Sequence, residues 1–202
     1  MVLIGGPPET IEETYTILQD NRLAGLLRLD ILTIFVMPFY YPLFYSLFTA
    51  LRKNDNHLSA LSMILAFAGL TLFLAAPSVF SYVHLGDKFA AASSEQQRNL
   101  LIAAGESVYA ADIWHGSGPR VGGLLLQTGA LLISVAMFRS ALFTRATAIV
   151  GIVTHGLDLI HIIIGFFSVA AGNAIMFIAG PLYLIWFPMV GAGLFKIKPS
   201  EE

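Results

Sequence analysis

Five stretches of this chain each run for about 20 residues with almost no charge, the length a helix needs to cross the hydrocarbon core of a bilayer. They lie at roughly 29–51, 58–84, 121–138, 146–169 and 174–195. The first keeps Asp30 near its start and the fourth keeps Asp158 in its middle; the others hold no charged residue. A soluble alternative fails on surface chemistry. Only 12% of the 202 residues are charged, against about a quarter in an average soluble domain. Mean hydropathy is +0.75. The expected fold is an all-α integral membrane protein, one membrane domain over 1–202, with five transmembrane helices, an N-terminal amphipathic helix and a helical outer loop.

Composition also narrows function. A formal net charge of −2 offers no basic surface for nucleic acid. The absence of cysteine removes disulfides, thiolate metal sites and cysteine nucleophiles together. Residues 1–22 lack both a basic start and an apolar run, so no cleavable signal peptide is expected. Membrane lipids are the expected surroundings, and another membrane subunit is a candidate partner.

Basic residues at span ends set orientation. Arg52 and Lys53 follow the first span, Arg139 and Arg145 follow the third, and Lys196 and Lys198 follow the fifth. The other side carries Arg22, Arg28, Lys88, Arg98 and Arg120, spread over a long N-terminal arm and the loop 85–120. Density in the short loops places the N-terminus outside and the C-terminus in the cytoplasm of a cell-membrane protein.

Two further helices are expected outside the spans, at about 10–22 and 94–112. Thr10-Ile-Glu-Glu13 and Ser94-Glu-Gln-Gln97 both have the capping-box pattern, in which the side chains satisfy the exposed backbone donors of a helix start. Ile11, Tyr15 and Leu18 then recur at helical spacing, so the first helix should lie on the membrane or on the bundle. His115-Gly-Ser-Gly-Pro119 is read as the break that leads into the third span.

The fourth span carries the most information about function. Thr144, Thr147, Gly151, Thr154, Asp158, His161, Gly165 and Ser168 alternate spacings of three and four, which lines them along one side of a helix. Small and polar residues so arranged belong against protein rather than lipid. Gly123, Gln127, Ala130 and Ser134 in the third span, and Ser59, Ser62, Ala66 and Gly69 in the second, offer matching faces. Pro38 and Pro42 in the first span, and Pro181 and Pro188 in the fifth, remove backbone donors and favour kinks.

His155-Gly-Leu-Asp158-Leu-Ile-His161 is the candidate site. An ionised aspartate at the midplane costs several kcal/mol, roughly, unless it is paired, protonated or reached by water, and either histidine can approach it from one helical turn away. The candidate ligand contacts are Asp158, His155, His161 and Thr154, with Gln127 from the third span and Tyr41 and Tyr45 from the first. Against this stands a structural reading, in which Asp158 is a hydrogen-bond hub worth about 0.6–2 kcal/mol per contact.

No cofactor is expected; the alternative is a metal or haem held by histidines, using His155 and His161 with His84 or Glu106. The spacing argues against a metal, because the two histidines diverge by about 120° around the helix. An outer cluster of His84, Asp87, Glu106, Tyr109, Asp112, Trp114, His115 and Arg120 reads first as a solvated loop, and otherwise as a vestibule. Tyrosines and tryptophan in the first and fifth spans read first as packing and interfacial residues.

Several stretches resemble an uncharacterised prokaryotic family of multi-pass membrane proteins, the DUF 4386-like domain of unknown function. They are Leu18-Gln-Asp-Asn-Arg22-Leu-Ala-Gly-Leu-Leu27, Tyr45 to Lys53, Ser94 to Arg98, Ala103-Ala-Gly-Glu106, the Gly116-Ser-Gly118 turn, Met137-Phe-Arg-Ser140 and Phe143 to Ala148. The resemblance implies the multi-pass fold; it carries no reaction, cofactor or catalytic residue, and the His155–His161 stretch departs from the family pattern.

Three functions fit these observations. The first is binding or passage of a small polar or protonatable ligand at a midplane pocket around Asp158. The second is a non-catalytic accessory or regulatory subunit of a larger membrane complex. The third, a membrane enzyme on a lipid head group or isoprenoid with Asp158 and His155 as acid and base, lacks any familiar enzyme motif.

Overall fold

The computed structural model describes residues 8–76 and 78–196. Ten α-helices and no strand occur among the described residues: α1 (Ile11–Asp20), α2 (Arg22–Arg28), α3 (Ile31–Val36), α4 (Tyr40–Leu51), α5 (Asn56–Leu74), α6 (Val79–Ala90), α7 (Glu95–Ala110), α8 (Ser117–Phe138), α9 (Arg145–Gly165) and α10 (Val169–Lys196). Five segments among the described residues are long and apolar enough to cross a membrane: Ile31–Leu51, Asn56–Ala90, Ser117–Phe138, Arg145–Gly165 and Val169–Lys196. The protein is an all-helical membrane protein. The chain divides into two compact units, Met1–Pro38 with Phe73–Arg120, and Phe39–Leu72 with Val121–Glu202.

Several expected boundaries shift, each for a local reason. The span expected at 58–84 is two helices, α5 and α6, with a turn at Ala75. Ala76 precedes a proline, and that position is disfavoured in the α conformation. The 19 residues of α5 alone rise about 28 Å, close to the bilayer core. The span at 29–51 is α3 and α4 joined by a 3-10 turn over Met37–Phe39, where Pro38 withdraws a donor. The helix expected at 10–22 ends at Asp20, and Asn21 both closes α1 and caps α2 by accepting from the Ala24 amide. The Gly-rich break before the third span is shorter than expected. α8 starts at Ser117, and Pro119 sits in its first turn, where no backbone donor is needed. Pro181 and Pro188 lie within one continuous α10. Lys198, one of the basic residues that follow the fifth span, lies outside the described residues.

In the first unit, α1 is an amphipathic helix whose apolar side is covered by protein. Thr10 Oγ1 accepts from the Glu13 amide at 3.1 Å, and the Glu13 carboxylate accepts from the Glu9 amide at 2.8 Å. Ser94 and Gln97 repeat this at α7, with Gln97 accepting from Ser93. In both boxes the return bond reaches one residue before the cap. Ile11, Tyr15 and Leu18 are fully buried with Tyr82 of α6, with Phe89, Ile102 and Val108 packed around them. Tyr15 donates to the Leu101 carbonyl at 2.9 Å. Arg22–Asp87 and Arg28–Glu13 ion pairs close the edges.

In the second unit, α8 is covered on two faces. Ser59, Ser62, Ala66 and Gly69 of α5 are all buried, and Ser62 donates to the Gly129 carbonyl at 2.7 Å. A Cβ at Gly69 would collide with the backbone of Gly122 and Leu126, and one at Gly129 with the backbone of Ser62 and Ala66. The two helices therefore touch backbone to backbone, as small-residue membrane interfaces do. The other face of α8 meets α9, where Ser134 lies against Gly151. α10 returns along α9, with Gly172 packed on Gly165. Ile149, Val153, Ile160 and Ile163 of α9, and Phe177, Leu184 and Phe195 of α10, stay exposed, an apolar surface suited to acyl chains.

Candidate functional site

Thr144 starts α9 by accepting from the Thr147 amide, and the polar stripe follows from there. Thr147, Gly151, Thr154 and Asp158 are buried, His161 and Gly165 are half-buried, and Thr144 and Ser168 at the ends are exposed. His155, beside the stripe, is 1% exposed. The central part of the stripe is thus covered within the chain.

Three helices bring their middle residues together. Gln127, His155 and Tyr183 stand at the midpoints of α8, α9 and α10, and Asp158 is one turn further along α9. Asp158 Oδ2 accepts from Gln127 Nε2 at 2.8 Å and from the Tyr183 hydroxyl at 2.5 Å. Gln127 Oε1 stands 2.8 Å from His155 Nδ1, with the Tyr183 hydroxyl at 3.1 Å. A hydroxyl has one proton, and the shorter contact directs it to Asp158. His155 packs edge-to-face on Trp186 with ring centroids 4.5 Å apart. Phe187 stacks on Tyr183 and meets Tyr40 of α4 edge-on.

Two features are open to chemistry. Asp158 Oδ1 accepts no hydrogen bond from the described residues, whereas Oδ2 is doubly held. His155 Nε2 is buried and meets no hydrogen-bond partner among them. A carboxylate pinned through one oxygen presents the other as an acceptor for a proton, a cation or a hydrogen-bond donor.

Not every expected contact assembles here. Thr154 bonds back to the Val150 carbonyl of its own helix. His161 Nδ1 is 2.9 Å from the Gly172 carbonyl, where α9 meets α10. Tyr41 pairs with Thr71 at 2.7 Å and packs on Phe67, which makes it part of the α4–α5 contact. Tyr45 is 59% exposed. Their helical spacing places Tyr41 against α5 and leaves Tyr45 on the exposed surface. No group of three metal-capable side chains, His84, Glu106, His155 and His161 included, forms among the described residues. The residues of the loop 85–120 make local structure: Asp112 accepts from the Trp114 and His115 amides and pairs with the His115 ring, while Asp87 binds Arg22.

Tyr183 is the contact that the sequence reading missed. It shares a side of α10 with the buried Ala179, Trp186 and Val190, at spacings of four and three. That pattern was available in the sequence. Comparison with family models, curated proteins and solved structures finds no match for this chain.

Proposed function

We propose that this is a multi-pass cell-membrane protein that binds or passes a small polar, protonatable species at Asp158, with its N-terminus outside and its C-terminus cytoplasmic. The observation that carries this reading is the asymmetry of the Asp158 carboxylate. Two donors hold Oδ2, and Oδ1 is left as an acceptor close to the centre of three membrane-length helices. An ionisable group at that depth is costly, and a purely structural hub would gain only about 0.6 kcal/mol per contact on average. Orientation rests on the basic short turns. Arg139 reaches Asp55 at 3.3 Å, which supports placing the turns after α4 and α8 on one side. The alternative of an accessory subunit needs the polar stripe of α9 as an interface, and the central part of that stripe is covered by the protein's own helices.

The test is proton passage in liposomes holding a pH-sensitive dye. The native protein should dissipate an imposed pH gradient faster than empty liposomes. Asp158→Asn should do so no faster than empty liposomes, with unchanged helical content and detergent elution. Equal rates for native and variant protein would remove the reading. Failure of the variant to fold would favour the structural hub.

A further inference from the structure

Gln127 is held between two groups through the two ends of one amide, and those ends are chemically opposite. Its Nε2 donates to Asp158 Oδ2 and its Oε1 faces His155 Nδ1, both at 2.8 Å. With the NH2 on the carboxylate, the histidine must supply a proton to Oε1, so the ring hydrogen sits on Nδ1. Nε2 is then the bare nitrogen, and it is the buried atom without a partner.

A proton taken up at the open Oδ1 and brought to the Oδ2 position by a half-turn of the carboxyl reverses each demand along this chain. The protonated oxygen needs an acceptor, and a half-turn of the amide supplies Oε1. The Gln127 NH2 then points at Nδ1, which must be unprotonated, and the ring hydrogen moves to Nε2. Tyr183 donates to Oδ2 in both arrangements. Each of them satisfies both ends of the Gln127 amide, and a mixture of the two leaves donors or acceptors facing their own kind.

We infer that Gln127 couples the charge of Asp158 to the tautomer of His155, so that a proton gained by the carboxylate is accompanied by a proton appearing on His155 Nε2. The cluster gains one proton, on Oδ2. The imidazole loses one from Nδ1 and takes one on Nε2, exchanged with water or with the protonatable ligand. Gln127 is thus a positioning residue. Among the described residues, Tyr183 of α10, Tyr40 of α4 and His161 of α9 are the titratable groups that interact with Asp158, and His155 reaches it through Gln127; α8 contributes Gln127, which does not titrate. The inference rests on the proposed function, in that Asp158 must change its protonation state.

Isotope-labelled full-length protein in lipid bilayers tests this by solid-state NMR, following the Asp158 carboxyl carbon and the His155 ring nitrogens through a pH series. The expected result is an inversion of the tautomer ratio, from Nδ1–H to Nε2–H on acidification, with the same midpoint as the carboxyl. A carboxyl that titrates while the tautomer stays fixed overturns the coupling alone, because the proton then sits on Oδ1 and the amide does not turn. A carboxyl that never titrates overturns the proposed function and the coupling together. Gln127→Met keeps the side-chain length without the amide. It should leave the carboxyl titrating and the tautomer indifferent to it; a tautomer that still switches overturns the role of Gln127. The native series decides alone if that variant does not fold.

Discussion

Asp158 and Thr154 lie on the same stripe of α9 and are both buried, yet their side chains spend their hydrogen bonds differently. Thr154 donates within its own helix, while Asp158 is held by α8 and α10. The difference predicts two outcomes from substitutions of similar size. Tyr183→Phe removes a donor to Asp158 Oδ2 and should destabilise the protein by about 1 kcal/mol, within the range of hydrogen bonds measured between membrane helices. It should also alter proton passage, since the carboxylate loses one of its two anchors. Thr154→Val conserves shape and loses only a bond internal to α9, so it should cost less stability than Tyr183→Phe. Denaturation in detergent, alongside the liposome assay, separates the two. A Tyr183→Phe variant no weaker than Thr154→Val would mean that the Tyr183 contact contributes nothing.

At the scale of helices, the glycines divide into those that make contacts and those that do not. A Cβ at Gly129 meets the α5 backbone at Ser62 and Ala66, and backbone cannot step aside as a flexible side chain can. Gly129→Ala should therefore push α5 and α8 apart, strain the Ser62 hydrogen bond and cost about 1–3 kcal/mol. Gly156 in α9 has nothing within 4 Å of an added Cβ, and Gly156→Ala should gain about 0.5–1 kcal/mol from helix propensity. Unfolding midpoints that move in the same direction for both would contradict the packing. These helices also mark how far the sequence could be read. Apolar length located the membrane-crossing segments, and the alternating spacing of α9 identified its covered side, because both follow from one helix considered alone. The break between α5 and α6 was hidden from hydropathy, which Ala75 and Ala76 keep high across it, although Pro77 marks it in the sequence. Partner choice was hidden too. Tyr41 and Tyr183 look alike in sequence, and only packing decides that one meets Thr71 and the other Asp158.

Across the whole molecule, the two units differ in where their polar chemistry sits. The second unit keeps its network inside membrane-length helices, while the first carries ionisable groups on and around the amphipathic α1. Burial pushes the Tyr15 phenol up from 10.0 to about 12, and the charges of Glu106 and Glu12 add to the shift. The fold thus favours the neutral phenol, which donates to the Leu101 carbonyl. An acid raised in the folded state contributes its full stabilisation below its unfolded value, and that contribution falls away as pH rises. Here the loss should run from about pH 10 to about 12, as α1 loosens from α6 and α7. Glu13 gives the opposite response. The Glu9 amide is the main cause that holds its carboxyl below 4.5, with Arg28 adding to it. Its stabilisation is present above that value and is lost as pH falls through the lowered one. Tyrosinate absorbance and helical circular dichroism can follow the alkaline limb, with Tyr15→Phe as the control that lacks the phenol. The native protein should lose α1 helicity over that interval together with a late tyrosinate step, and Tyr15→Phe should lack both. If the variant loses helicity at the same pH as the native chain, some other group governs the alkaline release of α1.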